Sequence, residues 1–362
     1  MQEIKDKISQ IAQDIGFNDI SFIDAKPLLK SEQHFLEWRQ KGFAADMNYL
    51  LKDNPINARP QELLKEAKTI IMLTANYYSP CPPRPSLKHG RIAAYATGLD
   101  YHKVLKNKIQ ELINHPSLEG IFKNSKFFTD AVPLLEKSFA KEAGLGFRGK
   151  NTLLLSKETG SFNFIAEILT DLDLSNHYQT LERGNDIGCA KCTRCIDICP
   201  TNALPNPYQL DARKCISYQT IENREEIPQE LHQGIGEWLF GCDLCQTICP
   251  YNKKSKPSTF KEFEPESGFG HWLYLPELLD LELGKHRDIS SLTKALKKHK
   301  FIDEQALPTI KKYLMNKNEI KEEDLDHIFQ IKFARTPLLR TKRKGLIRNA
   351  KIVLKNSYHC EE

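Results

Sequence analysis

Apolar residues at Ile4, Ile8, Ile11 and Ile15 recur at the spacing of one helix face, and Gly16 is a suitable stop. Phe17 to Ile23 then reads as a strand, and Glu32 to Gln40 as a helix with Phe35, Leu36 and Trp38 as its apolar contacts. The turn-like Asp53-Asn-Pro-Ile-Asn-Ala-Arg-Pro60 precedes Thr69 to Leu73, an unbroken apolar run that predicts a buried central strand. Tyr77-Tyr78-Ser-Pro-Cys-Pro-Pro-Arg-Pro85 is too rich in proline for regular structure and predicts a surface excursion. Asp100 is placed to cap a helix running to Leu112, with Leu105, Ile109 and Leu112 on one face. Lys126 to Asp130 predicts a short strand, and Leu134 to Ala143 a helix stopped by Gly144. Asn151 to Ser156 and Phe162 to Leu169, joined by Lys157-Glu-Thr-Gly160, predict a β-hairpin. Strands and helices mixed in this way predict an α/β (α+β) domain over roughly the first half of the chain. From Trp272 onward helical patterns dominate. Ile328, Ile331 and Leu338, followed by Leu346, Ile347, Ile352 and Leu354, suggest a stacked helix pair of solenoid type.

At 362 residues the chain has room for two or three domains. No apolar run is long enough to span a membrane. The charged start Met1-Gln-Glu-Ile-Lys lacks the apolar segment of an export signal. Net charge is +5, but its distribution says more. From His327 to Cys360 there is no Asp or Glu, while Lys332, Arg335, Arg340, Lys342, Arg343, Lys344, Arg348, Lys351 and Lys355 supply nine positive charges. The remainder therefore sums to about −4, and a basic end on a slightly acidic body suits a polyanion. A solvated basic helix face accounts for the same run equally well.

The cysteines carry the sharpest signal. Cys189, Cys192, Cys195 and Cys199-Pro200 follow C-x2-C-x2-C-x3-C-P, the bacterial ferredoxin spacing in which the fourth cysteine crosses to a second cluster. Cys242, Cys245 and Cys249-Pro250 repeat it one ligand short, and Cys215 is available to supply that ligand. The crossing rule pairs Cys189, Cys192, Cys195 and Cys249 on one [4Fe–4S] cluster, and Cys199, Cys215, Cys242 and Cys245 on the other. Structural zinc also uses Cys-x2-Cys pairs, but it requires neither a third cysteine at the next step nor Cys-Pro endings on both groups. A disulfide framework belongs to short secreted chains. Thiolate ligands imply a reducing, cytoplasmic setting, and Cys81 and Cys360 fit neither cluster.

Three stretches need a decision. Gly144-Leu-Gly-Phe-Arg-Gly149-Lys150-Asn151 satisfies G-x-G-x-x-G and nearly a P-loop. Phosphate loops of both kinds need a strand before and a helix after, whereas here a helix precedes and a strand follows, which rejects nucleotide binding. The glycines still permit a close backbone approach, and Lys150 suits an anionic group. Asp100-Tyr101-His102 resembles the opening of the D-x-H-x-x-G signature that supplies an axial histidine to cobalamin, but Leu105 stands where its glycine belongs. Asp100 is therefore read as the helix cap, and His102 is not read as an axial ligand. Asp130 stands between the predicted strand and Pro133. It is either an N-terminal cap or, if desolvated beside a cofactor, a proton donor, and residue chemistry alone favours the cap.

Taken together, seven stretches in order resemble the epoxyqueuosine reductase family of cobalamin-dependent, iron–sulfur tRNA-modifying enzymes. They are Gly98-Leu-Asp-Tyr-His102, Thr129-Asp-Ala-Val-Pro-Leu-Leu-Glu136, Ala143 to Thr152, the first cluster motif, Cys215-Ile-Ser-Tyr-Gln-Thr-Ile-Glu222, Gly241 to Asn252, and Arg340 to Ala350. Phe147, Arg148 and Tyr251 depart from the family's usual residues. The resemblance implies a cobalamin-binding catalytic domain over 1–180, a ferredoxin-like module with two [4Fe–4S] clusters over 181–256, and a HEAT-like helical region over 257–362 that helps hold tRNA. It further implies a monomer, supplied by an external electron donor, that reduces epoxyqueuosine to queuosine at the wobble position of the anticodon stem-loop. Electrons would pass from the clusters to cobalamin, and Asp130 would become the proton donor. Candidate corrin contacts are Arg59, Tyr95, Lys150, Asn151, Ser217, Tyr218 and Asp243, and candidate phosphate contacts are Arg340, Lys342, Arg343, Lys344 and Arg348. Two competing expectations are a cobalamin-dependent reductive dehalogenase, for which the basic tail has no use, and a nucleic-acid-binding protein with purely structural clusters.

Overall fold

The computed structural model describes residues 2–51, 58–132, 134–174, 188–282, 284–286, 288–299, 306–315 and 319–358. Most of the turn predicted at 53–60, the boundary placed at 180/181, and Cys360 lie outside the described residues. The chain forms two compact units, each assembled from separated stretches: 1–80, 100–213 and 243–264 in the first, and 81–99, 214–242 and 265–362 in the second.

The first unit is built on an antiparallel sheet of four strands, β1 (Asp19–Asp24), β2 (Thr69–Asn76), β3 (Ser125–Phe128) and β4 (Asn163–Thr170), in the order β1-β2-β4-β3. Every residue of β2 is buried, and only Asn163 of β4 is partly exposed, as central strands require. Helix α1 (Gln2–Ile15) buries Ile8 and Ile11 as its periodicity predicts, and α2 covers Leu29–Gln40. Within α2 the expected contacts are only partly made. Phe35 stacks on Trp38 and the Trp38 indole N–H donates to the Leu210 carbonyl at 2.6 Å, whereas Leu36 stays exposed. Helix α3 (Tyr101–Ile113) buries Leu105, Ile109 and Leu112 and is capped by Asp100, whose carboxylate accepts from the His102 N–H at 3.1 Å. Helix α4 (Glu136–Glu142) lays Phe139 and Ala140 on the sheet beside Ile70, Met72, Ile165 and Leu169, the apolar centre of this unit.

The hairpin predicted from 151–156 and 162–169 does not form. Leu154–Leu155 pairs instead with Phe147–Arg148, and β4 pairs with β2 and β3; Ser156 and Gly160 share only an isolated bridge. Gly146 is the reason. A Cβ there would lie 2.5 Å from the Leu155 carbonyl oxygen, so only glycine admits this pairing. The close approach expected of the glycine-rich loop is therefore to its own neighbouring strand.

In the second unit a three-stranded sheet places His89–Ile92 between Trp238–Phe240, which is parallel to it, and Trp272–Tyr274, which is antiparallel. Trp272 therefore begins a strand before the helices take over. The Arg91 guanidinium lies 4.5 Å from the Trp238 ring and pairs with Glu237 at 3.1 Å. The final helix, Lys342–Tyr358, packs against helix Glu322–Lys332 and strand Trp238–Phe240, burying Leu346, Ile347, Ile352 and Val353. Ile328 and Leu338 are buried with it, in keeping with the expected helix pair.

Candidate functional site

Asp130 follows β3 in a left-handed backbone conformation, with φ +49°. Two contacts fix the segment around it. The preceding Thr129 hydroxyl donates to the Ile165 carbonyl on β4 at 2.9 Å, and the Asp130 N–H donates to Glu136 Oε1 at 2.7 Å. The Asp130 carboxylate is not a helix cap: the residue before α4 is Leu135, with no side-chain capping bond. The carboxylate instead accepts a hydrogen bond from the Tyr101 hydroxyl at the start of α3, and His102 Nε2 lies 3.7 Å from the same oxygen. Asp100 holds the other face of that imidazole at 2.8 Å. Burial alone would raise the Asp100 carboxyl, but the His102 hydrogen bonds and charge outweigh it and hold the carboxyl low. An anionic Asp100 assigns the His102 proton to Nδ1 and turns Nε2 toward Asp130. Tyr101 stacks on Phe164 at 4.3 Å and 8°, so the phenol is rigidly placed. Sequence reasoning found Asp100 and Asp130 but overlooked Tyr101 and His102 as partners of Asp130. Their shared signal was their position in the first turn of a capped helix.

Two short helices pack together in the cluster segment, Arg194–Asp197 and Leu244–Thr247. They are near copies: the preceding Thr193 and Asp243 have φ −125°, ψ 6° and φ −113°, ψ 9°, and the following Ile198 and Ile248 have φ −77°, ψ −16° and φ −75°, ψ −15°. Each leads into Cys-Pro, so the repeat read in the cysteines exists in the backbone. Cys249 is buried with Phe147 and Leu155, and Cys189 packs against the same group. Burial, followed by the neighbouring Cys189 charge, raises the Cys195 thiol. Burial, and among its neighbours Cys189 and Cys192, also raises Cys249. The four cysteines of the first expected set thus gather in one place. Backbone N–H groups point at sulfur, from Lys150 to Cys189 at 3.4 Å and from Ala203 to Cys199 at 3.3 Å, as in cluster sites whose sulfurs are tuned by hydrogen bonds. Among the described residues no three His, Cys, Asp or Glu side chains converge on a single-ion site. Of the second set, Cys199 and Cys245 belong to the first unit and Cys215 and Cys242 to the second.

The remaining candidates divide. Lys150 Nζ donates to the Ala190 and Cys192 carbonyls at 2.8 and 2.9 Å, and Asn151 Nδ2 to the Cys245 carbonyl at 3.1 Å, so both brace the cluster segment. Asp243 is buried and accepts from Gln246 at 3.1 Å, and Arg59 makes two hydrogen bonds to Glu32. Tyr95 lies near Phe240, and Ser217 and Tyr218 are half-buried on the helix that follows Cys215. Two of the departures from the family pattern touch each other: Phe147 and Tyr251 meet edge to face at 5.1 Å beside Cys249. Arg148 Nη2 points at the Tyr208 carbonyl, 3.5 Å away.

The basic end is largely committed within the second unit. Arg343 is 2 % exposed and holds Asp326 at 2.7 Å, Glu322 and the Leu281 carbonyl; Arg348 binds the Gln219, Asn223 and Glu225 carbonyls. These two are corrected from phosphate contacts to structural residues, because their guanidinium donors already satisfy groups inside the fold. Arg340 pairs with Glu222 through two bonds while remaining exposed, and Lys342 and Lys344 are exposed, Lys344 lying 3.7 Å from Glu322.

Comparison with known proteins agrees with this geometry. The family model for a 4Fe-4S double cluster binding domain matches residues 188–252, so the segment carries two [4Fe–4S] clusters, and the model for epoxyqueuosine reductase QueG (DUF1730) matches residues 58–131. Epoxyqueuosine reductase of Escherichia coli is 36% identical over 287 residues, spanning 78% of this chain and 73% of the relative. That of Cellulophaga algicola is 35% identical over 346 residues, 95% of this chain and 96% of the relative. Among solved structures, an epoxyqueuosine reductase with a tRNA-Tyr epoxyqueuosine-modified tRNA stem loop superposes with TM-score 0.76 at 25% identity, covering 98% of this chain and 82% of that one. The epoxyqueuosine reductase of Streptococcus thermophilus gives 0.73 at 27%, covering 98% and 81%. Both relatives named here exceed a third identity over most of their length, so the chain belongs to the epoxyqueuosine reductase family.

Proposed function

We propose that this protein reduces epoxyqueuosine to queuosine in the anticodon stem-loop of tRNA, acting as a monomer in the cytoplasm with an external electron donor. The observation that carries the reading is one carboxyl, Asp130, gripped by Tyr101 and faced by His102, in a unit that also gathers the Cys189, Cys192, Cys195 and Cys249 thiols. By function the chain divides into a catalytic part over 1–180, a ferredoxin-like part over 181–256 and a helical, HEAT-like RNA-holding part over 257–362.

The reaction removes the epoxide oxygen as water and needs two electrons and two protons. The clusters, held by Cys189, Cys192, Cys195 and Cys249 and by Cys199, Cys215, Cys242 and Cys245, supply electrons one at a time when loaded. Bound cobalamin would supply the low-valent cobalt chemistry that reduces the epoxide. For the corrin, Ser217, Tyr218, Tyr95 and Arg59 are the polar positions best suited to its amide side chains, whereas Lys150, Asn151 and Asp243 act through the cluster segment.

Asp130 protonates the departing oxygen. As the C–O bond breaks that oxygen gains negative charge, and a carboxylic acid in hydrogen-bond reach removes the penalty. The Tyr101 O–H donates to the resulting carboxylate and stabilises it. His102 Nε2 faces the same oxygen, and in its protonated form it returns a proton to Asp130 while Asp100 steadies Nδ1. Exposed Arg340, Lys342 and Lys344 neutralise phosphates, which positions the stem-loop without reading its sequence, and the modified base is splayed out of the loop to reach Asp130.

Asp130→Asn tests the assignment. The variant keeps both clusters and retains cobalamin after desalting, but turnover falls by about 10²-fold or more, the worth of a general acid. Full activity in that variant removes Asp130 from the chemistry.

A further inference from the structure

Glu167 sits where the sheet calls for an apolar residue. It pairs across the sheet with Met72 on β2 and Phe128 on β3, and its same-face neighbours Ile165 and Leu169 pack into the core with Phe139 and Ala140. It is fully buried, and among the described residues neither carboxyl oxygen has a hydrogen-bond partner of good geometry. Burial first, and then the charge of Glu136, push its carboxyl well above the ordinary range. Burial, followed by the Asp130 charge, raises Glu136 to about 8. Both carboxyls are therefore harder to ionise than in water, Glu167 from inside the apolar wall and Glu136 from a partly exposed position beside it. An ionised carboxylate without partners would be costly at the Glu167 position, and the neutral acid is the less costly state.

What the pair serves is visible in one bond. Glu136 Oε1 accepts the Asp130 N–H at 2.7 Å, at a residue whose φ of +49° lies in the left-handed region that, among residues with side chains, Asp and Asn tolerate best. Thr129, tied to Ile165, holds the segment from the other side. We propose that Glu136, backed by the buried acid Glu167, is a positioning residue that keeps the Asp130 carboxyl at Tyr101 and His102. The proposal rests on Asp130 being the proton donor. The ionisable groups around the pair are Asp130 and Lys137 on its own stretch of chain, with Tyr101 and His102 of α3 facing Asp130. Glu136 touches no reacting atom. It selects the backbone conformation from which Asp130 acts.

The test uses the full chain with clusters loaded, measuring both turnover and backbone amide exchange at Asp130. Glu136→Ala lowers kcat about tenfold, the worth of one lost hydrogen bond to a carboxyl oxygen, leaves KM for the stem-loop within about twofold, and speeds Asp130 amide exchange by a similar factor. Glu136→Gln still offers a carbonyl oxygen to the N–H and recovers most of both. A merely structural role would instead lower cluster content and speed exchange along all of β4. The proposal is overturned if Glu136→Ala keeps wild-type kcat and slow exchange, or if Gln is as damaging as Ala. Should Glu136→Ala fail to fold, Glu167→Leu against Glu167→Gln decides. Faster Asp130 exchange in Leu, which removes the carboxyl neighbouring Glu136, supports the proposal, and equal exchange sinks it. Exchange needs no substrate. If the wild-type protein leaves epoxyqueuosine untouched, the functional reading fails while the positioning question is still answered.

Discussion

At the scale of residues, the site depends on where protons rest. Asp130 was legible as a carboxyl at a strand's end, but its role was not, because the Tyr101 hydroxyl and His102 ring reach it from a helix some thirty positions earlier. Glu167 was legible only as a strand residue. Its signal was an acid inside the apolar run Phe162 to Leu169, and such an acid needs a partner that local pattern cannot name. The pair has a consequence for stability. The Glu136 carboxyl keeps its proton to about pH 8 when folded and loses it near 4.5 when unfolded, so the unfolded chain binds fewer protons between those values and stability falls as pH rises through them. Glu136→Gln removes this slope. Thermal melts near pH 5 and pH 8 should show the variant gaining on wild type at the higher pH, and parallel curves would show that Glu136 titrates normally in the fold.

Elements were more readable than their partners. Buried β2, capped α3 and the two Cys-Pro repeats follow from period, cap chemistry and spacing. The hairpin 147–155 was not foreseen, because its pairing is decided by contact between Gly146 and the Leu155 backbone, which no periodicity records. The three-stranded sheet of the second unit escaped notice for a related reason. Its strands, His89–Ile92, Trp238–Phe240 and Trp272–Tyr274, are only three or four residues long and far apart in sequence. The hairpin matters because Lys150 and Asn151 at its turn brace the carbonyls of Cys192 and Cys245. Gly146→Ala sets a Cβ against backbone that cannot move aside. It should cost about 1–3 kcal/mol and speed loss of iron to a chelator, read from the decay of cluster absorbance. A wild-type decay rate would separate the hairpin from cluster retention.

At the scale of the whole chain, composition gave the right substrate class for a partly wrong reason. Nine cations without an acid between His327 and Cys360 suited a polyanion and a solvated basic helix face equally well. The acids that answer them lie elsewhere in the sequence, at Glu222, Glu282, Glu322 and Asp326, so much of the charge closes the second unit upon itself. Arg343→Ala, which abandons buried partners, should therefore destabilise the protein by about 3 kcal/mol or more, whereas Lys342→Ala with Lys344→Ala leaves the melt unchanged. The lysine pair should instead lower the dependence of log K on log salt for stem-loop binding by about one to two. An unchanged salt slope would move the RNA contact to another surface.

The most direct measurement is anaerobic conversion of an epoxyqueuosine-bearing anticodon stem-loop by the cluster-loaded protein, supplied with cobalamin and reductant and followed by mass spectrometry of the released nucleoside. Queuosine, lighter by one oxygen, should accumulate over many turnovers and only when cobalamin is added. Unchanged epoxyqueuosine from protein that demonstrably holds both clusters and cobalamin would contradict the account.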